Sequence, residues 1–128
     1  LHLFAQDEKV VCLRWDLRRR HFILEVFFMK TSIAIQVLPE APNNEELCRI
    51  VDEVIAYIQS TGLNYHVGPF ETTVEGDDYD VLMDMVKECQ KVAIRAGAKK
   101  VSAYVKVVYK PEGDILSIDD KISKYEKE

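Results

Sequence analysis

The organisation of the chain is set by one short stretch, Ser32-Ile33-Ala34-Ile35-Gln36-Val37-Leu38. Ile33, Ile35 and Val37 fall on one side of it, and Ser32, Ala34 and Gln36 fall on the other. This alternation is the period of a strand that buries one face. Pro39 and Pro42 then break the strand, and Asn44 is placed to cap a following helix. The segment therefore predicts a strand leading into a helix.

Further elements follow the same two periods. Apolar side chains at helical spacing predict a first helix that ends at Thr61-Gly62, and the residues concerned are Leu47, Ile50, Val51, Val54 and Ile58. Residues 63–67 and 70–75 read as a hairpin around Gly68-Pro69. A second helix runs from the turn at residues 76–78 to Gly97. Residues 101–108 alternate again, and Ser117 can cap a short last helix.

The predicted order is βαββαβ with a terminal helix, which is the pattern of an α+β, ferredoxin-like sandwich. We expect a four-stranded antiparallel sheet with both long helices on one face. The other face collects a mixed set of side chains: Ser32, Gln36, Tyr104, Lys106, Val108 and His66. No element of the chain looks long enough to cover it. Such a face is solvated, holds a ligand or meets a partner sheet.

Residues 1–28 differ from the rest of the chain. Residues 9–17 alternate, 21–28 are almost wholly apolar, and Arg18-Arg19-Arg20 between them could be the turn of a hairpin. Met29-Lys30-Thr31 reads like a natural start. We therefore expect residues 1–28 to be an extension, either upstream sequence or residues introduced by cloning, and residues 29–128 to form the functional domain.

Composition and charge exclude several classes of protein. Apolar residues make up 48% and charged residues 30% of the 128 residues, as in an ordinary globular domain. No apolar run reaches the roughly 20 residues of a membrane span, so we expect a cytoplasmic protein. Residues 29–128 carry 12 Lys and Arg against 18 Asp and Glu, which argues weakly against nucleic-acid binding.

Cysteine spacing favours neither a disulfide nor a zinc site. Cys12, Cys48 and Cys89 are odd in number, lie far apart and form no C-x-x-C pair. Cys48 and Cys89 fall inside predicted helices, where we expect each thiol to act as a small apolar side chain.

Motifs for catalysis are missing or have a simpler explanation. The sequence has no phosphate-binding glycine loop and no nucleophile elbow. A structural or surface role suits His66 better than a metal or triad role, and helix capping suits Asp77, Asp78 and Asp80 better than a cation site. Residues 70–75 lack the interleaved aromatic and basic residues of an RNA-binding sheet. Residues 39–46 lack the arginine of an acylphosphatase-type site. From these observations together we expect neither an enzyme nor a metal site.

Five segments together carry a resemblance to a known family. They are Ile35-Gln36-Val37-Leu38-Pro39, Gly62-Leu63-Asn64-Tyr65, Thr72-Thr73-Val74-Glu75-Gly76-Asp77, Gly97-Ala98-Lys99-Lys100-Val101 and Leu116-Ser117-Ile118-Asp119-Asp120-Lys121-Ile122-Ser123. In combination they resemble the small thiamine-binding, YkoF-like proteins, over nearly all of residues 29–128. Residues 1–28 have no counterpart in the resemblance.

The resemblance implies a subunit that assembles through facing sheets, commonly as a dimer of dimers, with a pocket between the sheets for thiamine or its aminopyrimidine part. It implies no reaction and no cofactor. Gln36, Tyr104 and Lys106 could offer such a ligand an amide, a ring and a donor. Thr72 and Glu75 match the family's T-x-x-E-G pattern and join the candidates together with Thr73 between them, although Thr72 and Glu75 could equally be strand-end residues. A structural oligomer without a ligand is the alternative.

Overall fold

The computed structural model describes the backbone of residues 2–6, 9–16 and 21–126, and the side chains of residues 29–126. The elements in chain order are β1 (His2–Gln6), β2 (Lys9–Asp16), β3 (His21–Phe28), β4 (Thr31–Pro39), α1 (Asn44–Ser60), β5 (Asn64–Val67), β6 (Thr72–Gly76), α2 (Tyr79–Arg95), β7 (Val101–Tyr109) and α3 (Ile118–Ile122). A 3₁₀ turn, Ser123–Tyr125, follows α3.

Strands β4 to β7 form an antiparallel sheet in the order β5-β6-β4-β7. Central β4 pairs with β7 over its whole length and with β6 from Thr31 to Ile35. With α1 and α2 inserted between the strands, this is the predicted ferredoxin-like βαββαβ sandwich. The predicted fold class is confirmed.

The core lies between this sheet and the two long helices. Ile33 and Val74 are opposite each other on β4 and β6, and both are 0% exposed. The buried cluster contains Ile33, Ile35, Ile50, Val54, Ile58, Val74, Leu82, Met85, Val86, Cys89, Ala93 and Ala98. Ile33, Ile35, Ile50, Val54 and Ile58 are the members of this cluster that the periods of β4 and α1 predicted above. Burial of this apolar surface holds the helices on the sheet.

Local details correct two expectations. Asn43, not Asn44, is the N-cap of α1, and its Oδ1 accepts the backbone N–H of Glu46 at 2.9 Å. Cys48 is exposed on α1 and so does not act as a small core side chain, because its position on the helix points away from the sheet. Cys89 is buried as expected, and burial, with a smaller contribution from the charge of Glu88, raises the pKa of its thiol to about 12.

Other predicted helix ends are confirmed. Asp78 caps α2 by accepting the N–H of Val81 at 3.2 Å. Gly97 follows the end of α2 with φ +119°, in the left-handed region that glycine favours. Ser117 caps α3 in a reciprocal capping box with Asp120.

Strands β1, β2 and β3 form a separate three-stranded antiparallel sheet. The hairpin considered for this region is present as the β2–β3 pair. The predicted turn at Arg18-Arg19-Arg20 lies outside the described residues. Within the residues that the structure describes, no helix is long and apolar enough to cross a membrane.

Candidate ligand-binding site

The face of the sheet opposite α1 and α2, here called the open face, carries every second residue of four strands. By register these are Asn64 and His66 on β5, Thr73 and Glu75 on β6, Ser32, Ala34, Gln36 and Leu38 on β4, and Ser102, Tyr104, Lys106 and Val108 on β7. Five of the six candidate residues are therefore on one face. The sixth, Thr72, is on the other.

Helix α3 covers one end of the open face, which corrects the expectation that no element of the chain could cover it. Ile118 is 7% exposed, and Ser32 beneath this end is 6% exposed. The helix is only five residues long, but Ile118 and Ile122 are four residues apart and so share one apolar side. Packing that side on the sheet removes it from water.

Glu75 holds α3 in place. Its carboxylate accepts the backbone N–H of Ile118 at 2.7 Å and the Nδ2–H of Asn64 at 2.6 Å, and the residue is 2% exposed. A buried carboxylate needs such partners, because an unpaired one is costly to bury. The backbone N–H groups at a helix start suit a negative charge as well. The structure thus places Glu75 as the anchor of α3, with both carboxylate oxygens already engaged.

A cavity of about 280 Å³ lies between the sheet and α3. Its walls come from Ser32, Ala34, His66, Thr73, Lys106, Val108, Ile118, Lys121 and Ile122. The floor is small and partly apolar, and hydroxyl, imidazole and ammonium groups surround it. Such a mixture of apolar area and a few polar groups is typical of a small-molecule site.

Gln36 and Tyr104 are directly opposite each other on β4 and β7. Each lies two residues along its strand from the neighbouring pair, Ala34 and Lys106, which lines the edge of the cavity. Tyr104 is 64% exposed, so its ring is available to a flat ligand. The Nζ of Lys106 lies 2.8 Å from Glu71 Oε1. Gln36, Tyr104 and the cavity therefore form a continuous polar and aromatic strip along β4 and β7.

Thr72 lies apart from this strip. It is opposite Ile35 on the helix side and is 7% exposed. With Gln36 it lines a separate small cleft of about 100 Å³ between α1 and the β5–β6 turn. Thr73, by contrast, is on the open face and lines the cavity beneath α3.

Sequence reasoning missed the contribution of α3. Lys121 and Ile122 line the cavity, although neither was among the candidate residues. A signal was available in the sequence. The spacing of Ile118 and Ile122 after the Ser117 cap indicates a helix with an apolar side, and the open face was the one sheet face left for that side to pack on. His66, interpreted as a structural or surface residue, also lines the cavity. Within the described residues, no cluster of three or more His, Cys, Asp or Glu side chains could hold a metal.

Comparison with known proteins identifies a family for this chain. A family model described as "Thiamine-binding protein" matches residues 33–126, which run from β4 through the last 3₁₀ turn. The chain belongs to the thiamine-binding protein family. The matched range contains all the candidate residues and α3, and the family's description names binding and no reaction.

Similar proteins match about three quarters of the chain. A UPF0045 protein of Clostridium perfringens is 42% identical over 94 residues, which are 73% of this chain and 95% of the relative. A solved structure of a domain of unknown function, DUF77, from Bacillus cereus has a TM-score of 0.68 at 35% identity and covers 78% of this chain and 92% of that one. A Thermotoga maritima protein assigned provisionally to thiamine biosynthesis or salvage has a TM-score of 0.65 at 35% identity, with coverages of 76% and 99%.

Proposed function

We propose that this protein is a non-catalytic, cytoplasmic binder of thiamine or its aminopyrimidine moiety, and that the ligand sits between facing open sheets of a homo-oligomer. The observation that carries the proposal is the pairing of Gln36 with Tyr104 beside the cavity beneath α3, in a member of the thiamine-binding family. A thiamine-related role is consistent with the description of the Thermotoga maritima neighbour.

The chemistry of the pair suits an aminopyrimidine. The amide of Gln36 both donates and accepts hydrogen bonds, which matches the amino group and ring nitrogens of the heterocycle. The ring of Tyr104 offers stacking area on a flat ligand. Thr73 adds a hydroxyl at the cavity wall. Neither Thr72 nor Glu75 has this access: the first lies on the helix side, and the second has its carboxylate engaged with Asn64 and Ile118.

A second subunit would complete the site. The cavity of about 280 Å³ is slightly smaller than the roughly 300–1,000 Å³ of drug-sized ligand pockets. Leu38, Tyr104 and Val108 on the open face are 42%, 64% and 54% exposed. Covering them with a partner sheet would remove apolar area from water at roughly 25 cal/mol per Å². We therefore propose a homo-oligomer, arranged as the dimer of dimers that the family resemblance implies.

One observation favours the alternative, a structural oligomer without a ligand. Phe70, in the β5–β6 turn, is 80% exposed, although it lies off the open face. Exposed aromatic side chains are typical anchors of protein interfaces. An assembly held by such contacts would need no small molecule.

Calorimetric titration with thiamine and with the free aminopyrimidine tests the proposal. Removing one buried hydrogen bond costs about 1–3 kcal/mol, so Gln36→Ala should weaken binding by roughly 5- to 150-fold. Gln59→Ala, an exposed glutamine on the helix side, is the matched control and should bind like the wild type. Light scattering at micromolar concentration should show more than one chain. A monomer by light scattering, or a wild-type protein that binds neither compound by calorimetry, would contradict a ligand site between facing sheets.

A further inference from the structure

The cavity beneath α3 has positively charged walls within an acidic domain. Two lysines, Lys106 and Lys121, and His66 line it, and none of its nine lining residues is acidic. Residues 29–128 as a whole carry 12 Lys and Arg against 18 Asp and Glu. The local excess of positive charge therefore runs against the overall balance, and it coincides with the one end of the open face that α3 encloses.

The carboxylates of Glu75 and Asp120, which hold α3 and its cap, keep their negative charge, but both already accept hydrogen bonds within the protein. Glu75 accepts hydrogen bonds from Asn64 and from the N–H of Ile118. Asp120 accepts the N–H of Ser117 at 3.0 Å in the capping box. Each of these groups is already used to hold backbone or an amide side chain.

The two lysines are both available to an anion. Lys106 pairs with Glu71, but its side chain is 73% exposed, and exposed pairs of this kind stabilise by only about 0–1 kcal/mol. The ammonium group also keeps two further N–H donors. Lys121 forms no ion pair with any side chain that the structure describes. His66 can donate a hydrogen bond from its ring N–H.

Free thiamine fits these walls poorly, because its thiazolium ring carries a permanent positive charge and like charges repel. A phosphate group fits well, since charge-assisted hydrogen bonds from lysine to phosphate oxygens are strong. The distance along β4 from Gln36 to the cavity also leaves room for a ring and a phosphate group of one ligand. Gln36 is two residues from Ala34 and four from Ser32 along β4, which is roughly 7 and 14 Å.

We infer that the cavity between α3 and the sheet is a phosphate subsite, so that the preferred ligand is a phosphorylated aminopyrimidine or thiamine phosphate. Its heterocycle lies at Gln36 and Tyr104, and its phosphate lies between Lys106, Lys121 and His66. This inference rests on the proposed function, because the same open face binds the ring.

The test compares two ligands that differ only in the phosphate. Wild-type protein is titrated by calorimetry with 4-amino-5-hydroxymethyl-2-methylpyrimidine and with its phosphate monoester, at low and at high NaCl. The monoester should bind at least tenfold more tightly at low salt, and the difference should shrink at high salt because exposed charges are screened. Lys121→Gln should abolish most of the difference. Lys124→Gln, a neighbouring exposed lysine that does not line the cavity, is the control and should retain it.

The outcomes separate the two claims. If the alcohol binds as tightly as the monoester or more tightly, the phosphate subsite is rejected and the proposed function stands. If Lys121→Gln and Lys124→Gln lose the preference equally or not at all, the subsite is not beneath α3. If the wild type binds neither compound, the phosphate subsite is rejected together with the aminopyrimidine part of the proposed function, and the thiamine titration described above then decides the rest.

Discussion

Replacing Glu75 by alanine should release α3 from the sheet. The carboxylate accepts two hydrogen bonds, from Ile118 N–H at 2.7 Å and Asn64 Nδ2 at 2.6 Å, at a residue that is 2% exposed. Hydrogen bonds to charged groups contribute about 1.5–3 kcal/mol each. Asn64 is exposed and can regain water, so the contribution of its bond is partly recovered. We expect Glu75→Ala to lower the free energy of unfolding by about 2–4 kcal/mol.

Urea unfolding followed by circular dichroism measures this loss, at one fixed protein concentration because an oligomer's stability depends on it. Asp119→Ala, an exposed acidic residue on α3, is the matched control and should cost less than about 1 kcal/mol. Amide hydrogen exchange gives a second readout, since only Glu75→Ala should strip protection from α3. Equal losses in the two variants, with α3 still protected, would refute the assignment of Glu75 as its anchor.

Three further predictions concern other parts of the chain. A protein lacking residues 1–28 should still melt cooperatively, because the β4–β7 sheet and its helices close without them; aggregation of the shortened protein would count against the proposed domain boundary. Asn43→Ala should lower the free energy of unfolding by about 1 kcal/mol because the α1 cap is lost. Asn44→Ala should lower it by less than about half as much. Thermal or urea unfolding that ranks the two variants the other way would contradict the assigned cap. An alkylating reagent at pH 8 should modify Cys48 well before Cys89, because Cys89 is buried with a raised pKa and the thiolate is the reactive form. Peptide mapping measures the two rates, and equal rates would show that Cys89 is accessible.

Much of the fold could be predicted because it follows from the local periodicity of apolar residues in the sequence. The two-residue alternation around Ile33 and Ile35 assigns one face of β4 to the core and leaves Ser32 and Gln36 on the other, and the structure confirms both. Ser117 was likewise recognisable as a cap from its residue type and the helix that follows. Such signals need no knowledge of distant contacts.

The covered end of the open face could not be predicted in this way. Glu75 meets Ile118 across 43 residues of sequence, and no local period reports such a contact. A match to T-x-x-E-G indicates that Glu75 matters, but it cannot distinguish a residue that binds ligand from one that anchors a helix. Asn43 and Asn44 can both cap a helix by residue type, and only the path of the backbone after β4 selects Asn43.

The most direct test of the central claim is a methyl NMR titration of the full chain with thiamine and, separately, with thiamine monophosphate. Ile118 and Ile122 report on the cavity beneath α3, and Ile50 and Ile58 report on the core on the opposite side of the sheet. We predict saturable shifts at the first pair of isoleucines and at the Ala34 methyl, with little change at the second pair. Shifts confined to Ile50 and Ile58, or no shifts with either compound at millimolar concentration, would contradict binding on the open face.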